Sequence, residues 1–514
     1  MLLVKEPERE IMDHILVIDV GTSSLKAMLY DSAGNMLNRA SQEYHSEFFS
    51  DNHVEQDPLT WKTALLSTLK KSGEFIHARN IRIAAIAVTS QRASVIPIDD
   101  QGECLHNAIM WQDKRSRAQC GRLLEQLSLR DMYCRTGLRI DPYFSAPKMM
   151  WLRDERPELY NKAHKLIGVQ DYVAYLLTGL FMTDWTQACR TMLMNINTFS
   201  WDEEMLAIAG IPKAKLPELY PPASQPGALT SAMASATGLP SGTPVVVSGG
   251  DQQCAALALN ILQPGDAAAN TGTGSFVIAY AEQPMFDDEC RTLCSASAVT
   301  GKWIAEAGIY NTGSVYRWFR EQFYPAGEHA FDLMNEEASK SPIGANGVMM
   351  LPHFEGSAAP YWNPLAKGLF FNLTLGTVRG DLSRAILEGI ALEIAHDLSL
   401  IEHLVKSISE VNVAGGLVTL DFFNQMQADA FNKTVNRYDN SEASSLGALM
   451  SAAVKVGIYQ NHTEAYKAIC PAKPVSFKPD PASVAKYRTL FERKNDLYQA
   501  LCHFKGYESV CEPV

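Results

Sequence analysis

Ile15-Leu-Val-Ile-Asp19-Val-Gly21-Thr22-Ser23-Ser24-Leu-Lys26-Ala-Met-Leu-Tyr30 is two short apolar runs on either side of a glycine and three small hydroxyl residues. The first run ends in an acid and the second alternates, so the stretch predicts a strand, a tight turn and a strand. Asp31-Ser32-Ala33-Gly34 turns the chain again, into a third run from Asn35 to Ala40, and the opening reads as an antiparallel meander rather than a βαβ unit. No G-x-G-x-x-G follows the first strand, which argues against a dinucleotide site. Trp61, Ala64, Leu65 and Leu69 share one helical face, and Ile81 to Thr89 reads as a buried strand, so the meander passes into α/β structure.

The plan recurs about half a chain later. Leu219 to Gly227 is a Pro-rich connection, and Thr243 to Asp251 is a strand that ends in two glycines and an acid, with helix expected from Gln252 to Leu259. Ala267 to Tyr280 then repeats the strand, glycine-rich turn and strand around Asn270-Thr-Gly-Thr-Gly-Ser275. Two such units predict two related domains, each offering one loop to a shared ligand. Val411-Asn-Val-Ala-Gly415-Gly416 leads to a helix over Leu420 to Phe431, and Ser444 to Ser451 opens another.

A chain of 514 residues exceeds what one core usually covers, which favours two domains of roughly 250 residues over a single large barrel. Hydrophobic residues at 46% and charged residues at 20% place it among globular proteins. The net charge of −12 gives no footprint for nucleic acid or an anionic membrane. Met1 to Glu10 is charged, and no apolar stretch of secretory or membrane-spanning length appears, so a cytoplasmic protein is expected. The ten cysteines, from Cys104 to Cys511, are scattered; only Cys290 and Cys294 lie close, without zinc spacing, and reduced thiols are expected.

Asp19-Val-Gly21-Thr22-Ser23-Ser24 has chemistry suited to phosphate. Glycine and small hydroxyl residues let backbone N–H groups approach phosphate oxygens, and Asp19 can hold Mg2+ through water. Asn270-Thr271-Gly272-Thr273-Gly274 has the same capability. Either alone reads equally well as a tight turn. Asp251, at a strand end, is placed to accept the proton of an attacking hydroxyl, or else to cap the helix that follows.

Tyr143-Phe-Ser145-Ala-Pro-Lys148-Met-Met-Trp151-Leu-Arg-Asp-Glu155 fits the first signature of the FGGY carbohydrate kinases at every defined position. Gly368-Leu-Phe370-Phe-Asn372-Leu373, followed by Asp381-Leu-Ser-Arg-Ala385-Ile-Leu-Glu388, fits the second except that Asn372 stands where glycine is usual. The chain thus resembles that family from about residue 14 to about residue 460. Its first half is similar to the glycerol kinases in Asn107 to Gln112, Asp141 to Ser145, Thr183 to Leu193 and Gly250 to Gln253. The resemblance implies an α/β fold of two actin-like (ribonuclease-H-like) domains with an interdomain cleft, an N-terminal domain over 12–253, a C-terminal nucleotide domain over 254–490 and a helix or tail over 491–514. It implies ATP and Mg2+ as cofactors, a small sugar or polyol substrate and a homodimer.

Carried over by position, Asp251 is the catalytic base and Gln252 its neighbouring substrate ligand, with Arg92, Trp111, Tyr143 and Phe276 around the substrate. Thr22, Ser23, Gly272 and Thr273 meet phosphate, Gly313 and Gly416 meet nucleotide, and Asp19 with Asp251 attends the magnesium. Without the resemblance, Trp111, Tyr143 and Phe276 read as readily as core. Two departures shape the substrate. Ala93 replaces a glutamate that in glycerol kinases accepts substrate hydroxyl protons, and Leu420 replaces an asparagine near the adenine. Gln91-Arg92-Ala93-Ser94 also differs from the Gln-Met-His-Gly of xylulokinases. The expectation is a four- to six-carbon ketose or polyol rather than glycerol, with Gln112 or Asp113 as partners for the added hydroxyls. Glycerol kinase, xylulokinase and an actin-like ATP-binding protein without kinase activity are the alternatives.

Overall fold

A computed structural model of the chain describes residues 13–49, 52–327, 329–438, 442–471 and 473–507. The charged Met1 to Glu10 and Cys511 lie outside them. The chain divides into two compact units. The first runs to Ala258 and adds Ser295–Lys302 and Glu442–Pro471; the second holds Leu259–Cys294, Trp303–Ser441 and the segment after Pro471.

In the first unit, His14–Val20, Ser24–Asp31 and Met36–Glu43 form the expected meander. His14–Val20 also pairs in parallel with Ile83–Ser90. A parallel pair needs a crossover, and the helix Pro58–Ala78 supplies it. Asp57 accepts from the Leu59 amide, Pro58 pre-sets the first turn, and Trp61, Ala64, Leu65 and Leu69 are buried. They pack on Leu16, Ile18, Ile86 and Val88 in one apolar cluster. Pro244–Gly250 lies parallel on the other side of Ile83–Ser90, completing a six-stranded sheet.

The register sets the position of the site. Val20 is opposite Ser90, and Ser90 is opposite Gly250. The three parallel strands therefore end level, and the segments after them, 21–24, 91–93 and 251–252, leave the sheet at one edge. In open α/β sheets the carboxyl ends of such strands line ligand crevices.

The second unit repeats the arrangement. Asp266–Thr271 and Ser275–Ala281 form the hairpin, and Glu410–Ala414 pairs in parallel with the first of them, Asn270 opposite Ala414. The full sheet has seven strands, in the order Leu293–Ala296, Trp303–Ile309, Ser275–Ala281, Asp266–Thr271, Glu410–Ala414, Thr434–Arg437 and Val475–Phe477. The helix Arg379–Val405 precedes Glu410–Ala414 and buries Ile386, Ile390, Ile394 and Leu398 in the core. The terminal helix is Pro481–His503.

Two local readings change. Residues 219–227 are more than a connection, because Ser224–Ala228 pairs antiparallel with Pro244–Gly250 at the sheet edge, with a register shift around Pro226. Proline cannot donate to a ladder and is confined to edge strands and bulges, so the segment reads as loop although it pairs. Asn372, in place of glycine, has φ +66°, and its side-chain Nδ2 donates to the Gly347 carbonyl at 3.0 Å. Asparagine is among the few residues with a side chain that tolerate this region, and the turn survives the departure.

Among the described residues no helix is long and apolar enough to cross a membrane.

Candidate active site

At the sheet edge of the first unit the Gly21–Ser24 turn closes through the Gly21 amide on the Ser24 carbonyl, 2.9 Å. Tyr44 and Gln91 both donate to the Gly21 carbonyl, at 2.8 and 3.2 Å, which fixes the turn against the segment carrying Arg92. The Trp111 indole donates to the Thr22 hydroxyl at 3.3 Å, and its ring lies 5.5 Å from that of Tyr143. Arg92, almost fully buried, holds its Nε 3.8 Å from the Asp251 carboxylate. Thr22, Trp111 and Tyr143 form one set of contacts and Arg92 with Asp251 a second, and Gln91, next to Arg92, ties the two through the Gly21 carbonyl. Ser23 and Gln252 are their immediate neighbours in sequence.

Asp251 opens the helix Asp251–Ala258, and its Oδ1 accepts from the Gln252 amide at 2.7 Å. The glycines before it have separate reasons. Gly249 has φ +129°, and a Cβ on Gly250 would lie 2.5 Å from Arg92 Cδ. Glycine at 250 therefore lets the Arg92 side chain cross the strand end to reach Asp251. The Gly250 amide donates to Thr186 Oγ1 at 2.7 Å, and Thr186 donates to the buried Asp184 at 2.5 Å.

Asp19 has a distinctive environment. Burial first, and repulsion from Asp251 second, push its carboxyl up to about 7, while Lys26 opposes the shift. Lys26 is shared, since it pairs with Glu442 at 2.9 Å, and Arg39 reaches the same carboxylate at 3.2 Å. Ser445 donates to Asp19 Oδ2 at 3.4 Å. Two carboxylates that repel each other beside hydroxyl donors fit a hydrated divalent cation. Sequence reasoning gave no role to Glu442, Ser445 or Thr186, although Thr186 falls in the glycerol-kinase-like stretch Thr183 to Leu193.

The helix Ala443–Lys455 packs on Asp251–Ala258 so closely that a Cβ on Gly447 would lie 1.7 Å from the Cys254 carbonyl oxygen. Gly447→Ala must separate the two helices. The expected cost is about 1–3 kcal/mol, read as a lower midpoint in thermal unfolding.

The expectation for Asp113 fails. It is fully buried, and its carboxylate is taken by the Arg115 guanidinium at 2.8–3.0 Å and the Val54 amide at 2.6 Å. With the Arg115 backbone amide donating as well, at 2.9 Å, a carboxylate engaged by four donors braces the Trp111 segment and is unavailable to substrate. Ala93 instead lines a small cavity with Ser94, Ser145, Asp171, Thr183 and Gln187.

In the second unit the Gly272–Gly274 turn meets the start of the helix Gly313–Phe323. The Thr312 and Ser314 amides donate to the Thr273 carbonyl at 3.0 and 3.1 Å, and the Gly313 amide donates to the Gly272 carbonyl at 3.0 Å. A Cβ on Gly313 would lie 2.3 Å from that carbonyl oxygen, and one on Gly415 2.3 Å from the Thr271 carbonyl oxygen. Three backbones therefore converge with no room for side chains, while the Cβ direction of Gly416 is open. Gly272, Thr273, Gly313 and Gly416 are brought together here. The bare backbone of the Gly272–Gly274 turn suits a phosphate group, while the first amides of the helix are engaged by the turn's carbonyls and hold it in place. Phe276 follows the turn on the strand Ser275–Ala281, paired with Gly308. Leu420 packs half-buried against the core and precedes the helix Asp421–Phe431.

The chain is similar to known proteins over most of its length. Residues 14–258 match the N-terminal domain of the FGGY family of carbohydrate kinases, and residues 267–456 match its C-terminal domain. A glycerol kinase of Thermococcus onnurineus is 34% identical over 459 residues, 88% of this chain and 90% of that protein. Among solved structures, xylulose kinase from Lactobacillus acidophilus matches with a TM-score of 0.90 and 27% identity over 97% of this chain and all of that one. Gluconate kinase from the same organism matches with a TM-score of 0.89 and 27% identity over 95% of this chain and 98% of that one. The shared fold is of two actin-like α/β domains.

Proposed function

The chain belongs to the FGGY family of carbohydrate kinases, phosphotransferases with an alcohol group as acceptor, and we propose that it moves the γ-phosphoryl group of ATP onto a four- to six-carbon polyol or ketose. The observation that carries this reading is the Arg92–Asp251 pair at the carboxyl ends of two parallel strands, beside the turn whose Thr22 hydroxyl accepts from Trp111, itself packed on Tyr143. A carboxylate to take a proton, a guanidinium to bind hydroxyls and two aromatic rings to cover carbon suit a polyhydroxylated acceptor.

In this mechanism Arg92 and Gln252 orient the acceptor by hydrogen bonds to its hydroxyls, and Trp111, Tyr143 and Phe276 pack on its carbon chain. Asp251 accepts the proton of the attacking hydroxyl as the oxygen closes on phosphorus. The Thr22–Ser23 turn and the Gly272–Thr273 turn donate to the phosphate oxygens, Gly313 lets its backbone close on the second turn, and Gly416, whose Cβ direction is open, leaves space for the nucleotide. Mg2+, held through water by Asp19 and Asp251, would neutralise developing phosphate charge. We expect a cytoplasmic homodimer, whose assembly light scattering checks against the 56.7 kDa chain.

Ala93 supports an acceptor longer than glycerol. With alanine in place of a proton-accepting side chain, a glycerol hydroxyl there loses its partner, a penalty of about 1–3 kcal/mol. Ala93 has φ +67°, a strain that glutamate would share without increase, so Ala93→Glu tests chemistry rather than backbone. ADP release measured across glycerol, erythritol, ribitol, ribulose and xylulose is expected to favour the four- and five-carbon acceptors, with Ala93→Glu moving the preference toward glycerol. Glycerol as the best wild-type acceptor would sink the size argument. ADP release indifferent to every acceptor would favour an actin-like ATPase.

A further inference from the structure

Lys148 is completely buried, on the first turn of the helix Ser145–Glu155. Its ammonium donates to three consecutive carbonyls, those of Pro142 at 2.7 Å, Tyr143 at 2.5 Å and Phe144 at 3.2 Å. Among the described residues it makes no ion pair. A desolvated cation without a bonded counter-charge is expensive, and an apolar side chain of the same length would fill the volume without that penalty. What the ammonium provides that an apolar chain cannot is a single point on which three carbonyls converge, which forces the backbone to curl around it.

The residue at the centre of that curl is Tyr143. Its amide donates to Asp141 Oδ1 at 2.8 Å, and the Phe144 amide donates to the Asp141 carbonyl at 3.1 Å. Both backbone polar groups of Tyr143 are thus bound, one by Asp141 and the other by Lys148. Its ring, 5.5 Å from Trp111 and 5.1 Å from Phe144, takes its direction from this backbone.

We infer that Lys148 is a positioning residue that sets the Tyr143 wall of the acceptor site through three backbone carbonyls. The inference rests on the acceptor-site reading given above. It carries a pH signature of its own. Burial, opposed by Asp113 and Asp141 and reinforced by Lys114, brings the Lys148 ammonium down to about 7, and Cys120 is the remaining titratable group facing it. Once deprotonated, the amine has two hydrogens for three carbonyls, and the wall loosens.

The test is steady-state kinetics of wild type, Lys148→Met and Tyr143→Ala, using the best acceptor among glycerol, erythritol, ribitol, ribulose and xylulose. In wild type, the acceptor KM is expected to rise severalfold between pH 6.5 and 8.5, with the KM for ATP steady. Lys148→Met should raise the acceptor KM roughly 10-fold, the scale of a lost hydrogen bond to a charged group. It should also flatten that pH dependence and leave kcat within about threefold. Should Lys148→Met not fold, Asp141→Asn, which weakens the other tether of Tyr143, is expected to raise the acceptor KM selectively, and the wild-type pH profile stands without any variant. An acceptor KM indifferent to pH and to Lys148→Met, while Tyr143→Ala raises it, overturns the role of Lys148 alone. A Tyr143→Ala variant with unchanged acceptor KM overturns the acceptor-site reading with it. Uniform loss of kcat and of both affinities in Lys148→Met would mark the residue as merely structural.

Discussion

Asp251→Asn is expected to lower kcat by about 10²–10⁴-fold, the range for loss of a general base, while the KM for ATP stays close to wild type. The substitution is informative because so little else changes. Asparagine keeps the shape and the Oδ1 acceptor that now receives the Gln252 amide at 2.7 Å, so the start of the helix Asp251–Ala258 is retained. Asparagine and aspartate serve almost equally at helix N-termini, and the thermal midpoint should therefore move little. What disappears is the basic oxygen and the negative charge 3.8 Å from Arg92. If Asp251 served only to start its helix, turnover would survive. Rapid-quench measurement of the first turnover, with acceptor and ATP saturating, places the loss in the chemical step. Wild-type-like turnover in this variant would remove Asp251 from the mechanism.

The sequence made some of this site visible and concealed the rest, for reasons that particular residues illustrate. The Gly21–Ser24 and Gly272–Gly274 turns stand out because a tight hairpin with bare backbone needs glycine and small hydroxyl residues in adjacent positions, a wholly local demand. Asp251 stands out because Gly249 and Gly250 interrupt an apolar strand just before it. Thr186, which holds the Gly250 amide, gives no comparable signal, since it is 64 positions away and its role exists only once the strand is in place. Ser445 lies 426 positions from Asp19. Asp113 shows the opposite failure. Its closeness to Trp111 in sequence suggested an orientation toward substrate, but Arg115, two positions on, claims its carboxylate. Local pattern reports what the backbone must do, whereas the direction of a charged side chain depends on which opposite charge the fold brings near.

Asp19→Asn is expected to make the protein more stable and nearly inactive. Asp19 has a carboxyl raised from 3.8 to about 7, first by burial and then by Asp251. Between these values the folded chain binds a proton that the unfolded chain releases, so stability falls as pH rises through about 4 to 7, and above 7 the whole penalty is present. At about 1.36 kcal/mol per pH unit the shift sets a ceiling of about 4 kcal/mol. Asp19 retains some contact with solvent, which brings the expected effect to about 1–3 kcal/mol. A neutral amide of the same shape removes the penalty and can still accept from Ser445. The thermal midpoint of Asp19→Asn should exceed that of wild type by about 2–6 °C at pH 8, the gap closing toward pH 4. Activity should fall by about 10²-fold or more, since the group proposed to attend the metal has lost its charge. In the proposed role the cation and phosphate charge would surround the carboxylate during phosphoryl transfer and offset that cost. Scanning calorimetry at pH 5, 6, 7 and 8, paired with ADP-release assays, reads both effects. A variant less stable than wild type at pH 8 would show that Asp19 is not strained, and one with undiminished turnover that it is not required.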